Sequence, residues 1–191
     1  KLSGIEYIDF IPACWYRRKF ESKKLGGDRL RLNFEAVCHK TEVFINGKSV
    51  GTHTGSYTPF SFDITEYVAE GENTLAVYCE SDVRSGTQPT GKQSDKFASY
   101  GCYYTRSTGI WQPVWLERVP AAHLVDIKLD PDIDNSMLFV RAKIAGDGEK
   151  KITLEASLAG KKVGKAKAVT TGDYVRIAMP IDKLALWSIE T

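Results

Sequence analysis

The chain has 191 residues, and its 26 Lys and Arg residues against 24 Asp and Glu residues leave a formal net charge of +2. Hydrophobic residues make up 42% and charged residues 26%, which is typical of a folded domain and not of a disordered chain. The balanced charge gives no reason to expect a nucleic acid as a partner. No apolar run approaches the ~18–20 residues of a membrane span, so we expect no membrane partner either.

Apolar and polar residues alternate with a period of two along most of the chain, which predicts an all-β protein. The first strands are expected over 29–36 and 43–45, and Asn46-Gly47 then predicts a two-residue hairpin turn. Asp63 and Thr65 are expected to begin one short helical turn. Further strands of this first part are expected over 60–64, 75–79 and 110–119.

Two residue types refine this picture. Pro113 lies inside the last expected strand and therefore places it at a sheet edge or at a bulge. Large aromatic residues are expected to fill the core of a β-sandwich, namely Phe60, Phe62, Trp111 and Trp115.

The alternation of apolar and polar residues stops between Ser81 and Gly109. Ser, Gly, Thr, Gln and Lys predominate in this stretch, and three tyrosines lie near its end. A connection of this length far exceeds the usual ~4–6 residues, and such loops are more often functional or disordered than neutral. The loop is therefore the first place to look for a binding site.

A domain boundary is predicted near Pro120, because 18 of the 21 aromatic residues precede it. The part that follows repeats short strands separated by turns, as in a small immunoglobulin-like β-sandwich. Five strands are expected where seven are usual, so we predict that this domain is truncated after Thr191. The strands are expected over 123–129, 137–144, 151–158, 162–169 and 174–179.

The four cysteines, Cys14, Cys38, Cys79 and Cys102, form no Cys-X-X-Cys motif and have no His at metal-ligand spacing. We expect buried thiols that behave as small hydrophobic residues, with one disulfide as the alternative. The sequence offers no metal site and no other cofactor site. No signal-peptide pattern opens the chain, which we interpret as part of a longer protein whose targeting segment is lost.

Three stretches together resemble family 2 glycoside hydrolases, the group of β-galactosidases, β-glucuronidases and β-mannosidases. WYRRKF at 15–20 is similar to the opening strand of their first domain. The run from VFINGK at 43–48 to GENTLAV at 71–77 is similar to that domain's central signature, and TGIWQPVWLE at 108–117 is similar to its closing strand. Leu186-Trp187-Ser188 extends the resemblance through the second domain.

The resemblance implies a jelly-roll-like β-sandwich over 1–119 and an incomplete immunoglobulin-like β-sandwich over 120–191. It also implies that catalysis belongs to a (β/α)₈ barrel that follows these domains and carries the two glutamates of a retaining mechanism. This chain has no such barrel, so we assign it no catalytic residue and expect it to be inactive by itself. Glu35, Glu42 and Glu117 are expected to lie on solvated strand faces. The bacterial compartment, periplasm or cytoplasm, stays open.

In relatives a loop of the first domain approaches the barrel and helps to line the sugar site. The resemblance therefore makes the long loop a candidate contact for a β-glycoside. Some β-galactosidases carry an acidic residue and a Trp near the positions of Tyr103 and Thr105, and their absence here puts galactose specificity and a sodium-linked site in doubt. The candidate residues are Gln88, Lys92, Gln93, Tyr103, Tyr104 and Arg106.

Three other interpretations stay open. The loop could instead contact the second domain or a neighbouring subunit of a homo-oligomer. A free-standing carbohydrate-binding module predicts exposed stacking residues, for which Trp15, Tyr100 and Tyr103 are the test. A structural or adhesion sandwich predicts a disordered loop without contacts.

Overall fold

The structure is a computed structural model that describes residues 9–189, so residues 1–8, Glu190 and Thr191 lie outside the described part. Within that part the chain forms fourteen strands and one 3-10 turn, Thr65–Tyr67. It divides into two compact units between Val119 and Pro120. The strands of the first unit are β1 (Ala13–Ser22), β2 (Arg29–Phe34), β3 (Val37–Cys38), β4 (Lys40–Ile45), β5 (Lys48–Thr54), β6 (Phe60–Asp63), β7 (Gly71–Glu80), β8 (Gly109–Ile110) and β9 (Val114–Val119). Those of the second are β10 (His123–Asp132), β11 (Met137–Ala145), β12 (Lys150–Leu158), β13 (Lys161–Thr170) and β14 (Tyr174–Pro180).

The first unit is a β-sandwich of antiparallel sheets. One sheet has the order β1-β7-β4-β5, the other has the order β6-β2-β9, and β3 pairs with β8 at one end. Buried and less buried residues alternate along β4 and the second half of β7, as the period of two predicted. The prediction of an all-β chain built from β-sandwiches is thereby confirmed. The fully buried core includes Leu32, Phe34, Val43, Ile45, Ile64 and Val77.

The Asn46-Gly47 hairpin is confirmed. Both residues have positive φ, 51° and 79°, as a two-residue turn between twisted strands requires. A register shift follows between Val43 and Phe44 in the pairing of β4 with β5. The short helical turn is also present, and the Asp63 carboxylate accepts a hydrogen bond from the Thr65 backbone N–H at 3.0 Å.

A buried amide connects this hairpin to the start of β7. Asn73 is 1% exposed, and its Oδ1 accepts hydrogen bonds from Asn46 Nδ2 and the Ala69 N–H, each at 2.8 Å. Its Nδ2 donates to the carbonyl groups of Ala69 and Gly71, each at 2.9 Å. Asn46 Oδ1 in turn accepts the Thr74 N–H at 2.9 Å. All four hydrogen-bonding positions of the buried Asn73 amide are therefore used.

The prediction that Trp111 and Trp115 fill the core is wrong. Trp111 is 44% exposed and Trp115 is 43% exposed. Trp115 lies on β9 between the inward-facing residues Val114 and Leu116, so it points to the outer face of an edge strand. Pro113 interrupts the ladder between β8 and β9, as expected for a proline near a sheet edge.

The sandwich is open along one side. Among the described strands β1 pairs only with β7, and β9 pairs only with β2, so both strands have a free edge. A cavity of about 580 Å³ lies there and reaches the core side chains Leu32, Ile45 and Val77.

All four cysteines are free thiols. Cys38 and Cys79 are buried, as expected, whereas Cys14 is only half-buried and Cys102 is exposed. Burial raises the pKa of the Cys79 thiol to about 12, and the nearby Cys14 raises it further in the same direction. Burial likewise raises the pKa of Tyr16 to about 12, with a contribution from its contact with Cys14.

The second unit is a smaller sandwich. The sheet β10-β11-β14 packs on the pair β12-β13, and all five strands agree with the expected ones. Val140, Ile177 and Val175 of the larger sheet are buried against Ile152 and Leu154 of the smaller one. Strand β10 carries an apolar row that shares the inner face but remains open, namely Leu124, Ile127 and Leu129 at 53%, 42% and 54% exposure.

The exposed row on β10 is the feature that a further strand pair would cover in a complete immunoglobulin-like sandwich. That such strands follow Thr191 in the parent protein stays a prediction.

We expect Asn73→Ala to lower the free energy of unfolding of the first unit by about 2–4 kcal/mol, because it leaves buried backbone groups near Ala69 without partners. The control is Ser49→Ala, since Ser49 is exposed and its hydroxyl donates to the half-exposed Glu42 carboxylate at 2.8 Å. That variant should change stability by less than ~0.5 kcal/mol. Urea denaturation of both variants provides the measurement, and equal stabilities would contradict the role given to Asn73.

We also expect the contribution of Tyr16 and Cys79 to stability to be complete below about pH 9 and to be lost as the pH rises towards 12. The folded pKa values of Tyr16 and Cys79, both about 12, lie above their ordinary values of 10.0 and 9.0, so the unfolded chain loses these protons first. Denaturation curves at a series of alkaline pH values test this expectation. Tyr16→Phe should flatten the decline above pH 10, and an unchanged decline would assign the effect to other groups.

Candidate functional site

The long loop joins β7 to β8 and folds upon itself. Ser94 is fully buried, and its hydroxyl donates to the Ala98 carbonyl at 2.8 Å while it accepts the Lys96 N–H at 3.1 Å. The backbone of Tyr104 donates to the Lys92 carbonyl at 2.7 Å and accepts the Ser94 N–H at 2.6 Å. The loop is therefore organised by its own hydrogen bonds, contrary to the disordered loop that a purely structural sandwich predicted.

Arg106 holds the loop together from within. Its Nη1 donates to the Lys96 carbonyl at 2.5 Å and to the Ser94 carbonyl at 3.2 Å, and its Nη2 donates to the Phe97 carbonyl at 3.0 Å. The guanidinium also lies 3.8 Å from the ring centroid of Phe10. Burial lowers the pKa of Arg106, and the charge of the neighbouring Arg84 lowers it further.

A pocket of about 200 Å³ lies where the loop meets the end of the sandwich. Aromatic rings form its walls: Tyr57 and Trp111 meet edge to face with centroids 6.0 Å apart, and Tyr104 completes the rim. Trp111 is held in place because its indole N–H donates to the Ser56 carbonyl at 2.9 Å. We call this the aromatic pocket; its lining residues are Cys38, Ser56, Tyr57, Lys92, Gln93, Tyr104, Ser107 and Trp111.

The floor of the aromatic pocket is polar. The Ser56 hydroxyl donates to Cys38 Sγ at 3.3 Å and lies 3.2 Å from His39 Nδ1. Gln93 connects the floor to the loop, because its Nε2 donates to Cys38 Sγ at 3.7 Å and its Oε1 accepts the Ser107 N–H at 2.8 Å. The lining thus combines aromatic rings with hydroxyl, amide and ammonium groups, a composition suited to a small polar ligand.

A glycine brings the loop against the aromatic wall. Gly91 has φ +59°, and a Cβ atom built on it would lie 2.6 Å from the Tyr57 hydroxyl. A larger residue would require the end of the Tyr57 side chain to shift and would also strain the backbone. Glycine at position 91 thus allows the loop to approach Tyr57 closely beside Lys92.

The structure divides the six candidate residues into two groups. Lys92, Gln93 and Tyr104 line the aromatic pocket, whereas the other three lie elsewhere in the loop. Gln88 folds back on the end of β7, where its Nε2 donates to Ser81 Oγ at 3.1 Å. Tyr103 stacks on Tyr100 with centroids 5.1 Å apart, and Arg106 binds loop carbonyl groups. A sugar-contacting role for each of the six stays a prediction.

Sequence reasoning missed five residues of the aromatic pocket: Cys38, Ser56, Tyr57, Ser107 and Trp111. Cys38 had been expected only as a buried thiol, Trp111 had been placed in the core, and the other three had been given no role. One signal for the position of Trp111 was available in Pro113. A proline breaks the strand ladder, and a residue next to such a break need not follow the alternation of inward and outward side chains.

Within residues 9–189 no group of three His, Cys, Asp or Glu side chains is arranged to hold a metal ion. No helix of this described part is long and apolar enough to cross a membrane.

Comparison with known proteins gives a consistent result. Residues 6–120 match the family described as glycosyl hydrolases family 2, sugar binding domain. A β-galactosidase of Thermoanaerobacter pseudethanolicus is 32% identical over 165 residues, which are 85% of this chain and 20% of that protein. A putative β-glucuronidase of Formosa agariphila is 31% identical over 133 residues, 66% of this chain and 15% of that protein.

Solved structures show the same fold. A family 2 glycosyl hydrolase from Bacteroides cellulosilyticus superimposes with a TM-score of 0.73 at 20% identity, covering 94% of this chain and 25% of that one. The chain spans about a fifth of the length of the curated relatives it matches, 20% and 18% for the first two. From the match over residues 6–120 we conclude that the chain belongs to glycosyl hydrolase family 2 and contains its sugar binding domain.

Proposed function

We propose that this chain is the non-catalytic N-terminal region of a retaining exo-β-glycosidase and that its aromatic pocket contributes to the sugar site. The observation that carries the proposal is the position of Lys92, Gln93 and Tyr104. These loop residues lie against Tyr57 and Trp111 inside the stretch that matches the sugar binding domain. Aromatic walls with a few fixed polar groups are what a pyranose ring requires, since it has an apolar C–H face and a rim of hydroxyl groups.

The substrate is a β-glycoside, for which the names of the relatives suggest a β-galactoside or a β-glucuronide. Hydrolysis requires two carboxyl groups placed about 5 Å apart across the glycosidic bond. Glu35 and Glu117 are exposed on the first unit, and Glu42 accepts a hydrogen bond from Ser49 at 2.8 Å. None of the three lines the aromatic pocket. We therefore assign catalysis to a (β/α)₈ barrel outside these residues, and we infer that the second unit is the immunoglobulin-like domain that leads to it.

A free-standing carbohydrate-binding module is the second candidate, and one observation favours it. Trp15 is 62% exposed on a sheet face, as a stacking residue must be. Tyr100 and Tyr103 are 37% and 39% exposed, but they stack on each other and so cover part of their own surface.

We expect the isolated chain to hydrolyse no aryl β-galactoside, β-glucuronide or β-mannoside, because positioned acid and nucleophile supply that chemistry. Free monosaccharides should bind with dissociation constants weaker than roughly 100 μM, since an open pocket of this size encloses only part of a sugar. Turnover that survives repurification would overturn the assignment as a non-catalytic region. Tighter binding in a calorimetric titration would favour the free-standing module.

In an enzyme that includes the barrel, we expect Lys92→Ala to lower kcat/KM by roughly 10–100-fold, which is about 1.4–2.7 kcal/mol of transition-state stabilisation. The melting temperature should hardly change, because surface-loop substitutions usually alter stability by less than ~0.5 kcal/mol. Lys96→Ala is the matched control: Lys96 lies in the same loop but over the Tyr100 ring at 4.0 Å, outside the aromatic pocket. Normal kinetics for Lys92→Ala with a lower melting temperature would show that the loop contributes to structural packing and not to sugar binding.

Arg106→Met should behave in the opposite way. Removal of the guanidinium leaves loop carbonyl groups such as that of Phe97 without a donor, so the loop should become more susceptible to proteolysis and stability should fall by about 1–3 kcal/mol. Limited proteolysis followed by mass spectrometry locates the cleavage. A variant with wild-type resistance and a selective loss of kcat/KM would instead give Arg106 a direct part in sugar binding.

A further inference from the structure

Two cysteines of the first unit face each other across neighbouring strands. Cys14 of β1 is the direct partner of Cys79 of β7 in the antiparallel register. Both side chains belong to the inner side of the sheet, where Cys79 is fully buried in the core and Cys14 is half-buried against it. We call these two residues the cross-strand thiol pair.

The spacing of the two strands at this pair is that of a disulfide. The Ser81 N–H donates to the Pro12 carbonyl at 2.9 Å, two residues along each strand from the thiol pair. Because hydrogen-bonded and non-hydrogen-bonded pairs alternate along an antiparallel ladder, Cys14 and Cys79 are also a hydrogen-bonded pair. The Cα atoms of such a pair lie about 5.5 Å apart, within the ~4.4–6.8 Å range found in natural disulfides. The backbone is therefore placed for a disulfide before any bond forms.

The two thiols interact with each other. Burial raises the pKa of the Cys79 thiol to about 12, and the charge of Cys14 and a hydrogen bond with it act in the same direction. Cys38 affects Cys79 only through its charge. The Cys38 sulfur instead accepts hydrogen bonds from Ser56 at 3.3 Å and from Gln93 at 3.7 Å. The geometry thus selects Cys14, and not Cys38, as the partner of Cys79.

Cys14 is the thiol of the pair that can react first. It is half-buried, whereas Cys79 is fully buried and holds its proton strongly. The Cys14 thiol donates to the Thr108 carbonyl at 3.8 Å, and the Tyr16 hydroxyl donates to the same carbonyl at 3.2 Å. Oxidation of Cys14 therefore leaves the Thr108 carbonyl with a hydrogen-bond donor, so the end of the long loop stays attached.

We propose that Cys14 and Cys79 are a modification site, at which a small disulfide such as oxidised glutathione converts the two thiols into a reversible disulfide. The Cys14 thiolate attacks one sulfur of oxidised glutathione, and one glutathione leaves as a thiol. The Cys79 thiol then loses its proton and attacks Cys14 Sγ of the mixed disulfide, which releases the second glutathione. Two protein thiols are oxidised, one disulfide is reduced, and both protons end on the two released glutathione molecules.

The disulfide stabilises the first unit. It joins β1 to β7 and closes most of the unit into one covalent loop, and long loops restrict the unfolded chain more than short ones. It also fixes β1 to the one strand with which it pairs among the described residues. We therefore expect the oxidised protein to melt several degrees above the reduced protein.

The test is to incubate the 191-residue chain with oxidised glutathione under native conditions and to measure intact and peptide masses. A Cys102→Ala background is used throughout, because Cys102 is exposed and would itself take up glutathione. We expect the loss of two hydrogen atoms, a cross-linked peptide pair that contains Cys14 and Cys79, and a higher melting temperature that dithiothreitol reverses. Cys14→Ala should abolish all three changes, and Cys38→Ala is the matched control that should keep them.

Four outcomes would overturn the proposal. They are thiols that stay unmodified, a stable glutathione adduct on Cys14 without a cross-link, a cross-link between Cys38 and Cys79, and a cross-link that lowers the melting temperature. Circular dichroism of each reduced variant shows that a missing cross-link is not a loss of folding. Neither Cys14 nor Cys79 lines the aromatic pocket, so these results are independent of the kinetic experiment on Lys92.

Discussion

The buried side chain of Asn73 fixes three segments of the first unit relative to one another. It binds the hairpin residue Asn46, the backbone at Ala69 after the 3-10 turn, and the carbonyl of Gly71 at the start of β7. Because an unpaired buried amide costs about 1–3 kcal/mol, any displacement of these segments is penalised. The network therefore sets the register between β4 and β7, and that register decides which residues of the two strands reach the core.

Much of the first unit follows from this register. With Asn46 opposite Thr74, the residues Val43 and Val77 become direct partners and both point inward. A shift by one residue would turn both of them to solvent and bring Phe44 and Ala76 inside. Phe44 and Tyr78 lie on the outer face of the same sheet, because side chains alternate along each strand. The register thus decides both the core and the outer face of this sheet.

The strands and the hairpin could be predicted from the sequence because they depend on local signals. The alternation from Leu30 to Phe34 and the Asn46-Gly47 turn needed no knowledge of distant residues. The two tryptophans could not be placed in this way. Alternation identifies the residues that share a face, but it does not say that Trp115 lies on an edge strand whose outer face stays open. That β1 and β9 each pair with one strand among the described residues depends on how the strands assemble, which a single strand pattern does not contain.

The candidate site likewise combines residues that the sequence could predict with residues that it could not. Composition and length identified the long loop, and Lys92, Gln93 and Tyr104 do line a pocket. The opposite wall could not be predicted, because Cys38, Tyr57 and Trp111 come from three distant parts of the chain. Arg106 was chosen for its capacity to bind charged or polar ligands, but the same five donors also suit backbone carbonyl groups. Whether the guanidinium binds a ligand or backbone carbonyl groups depends on the turns of the loop. Here these turns bring the carbonyl groups of Ser94, Lys96 and Phe97 around it.

This contrast bears on how a family 2 domain can change its ligand while it keeps its fold. The residues that carry the resemblance, such as Asn46, Gly47 and Asn73, act on turns and register, so a change there affects folding before it affects binding. Lys92 and Tyr104 lie on a loop that is closed by its own hydrogen bonds, notably those of Ser94 and Arg106. Such a loop can exchange its exposed side chains without disturbing the sandwich, because its internal bonds go to backbone atoms. Lys92 and Tyr104 are therefore free to vary, whereas the buried amide that positions the strands is not.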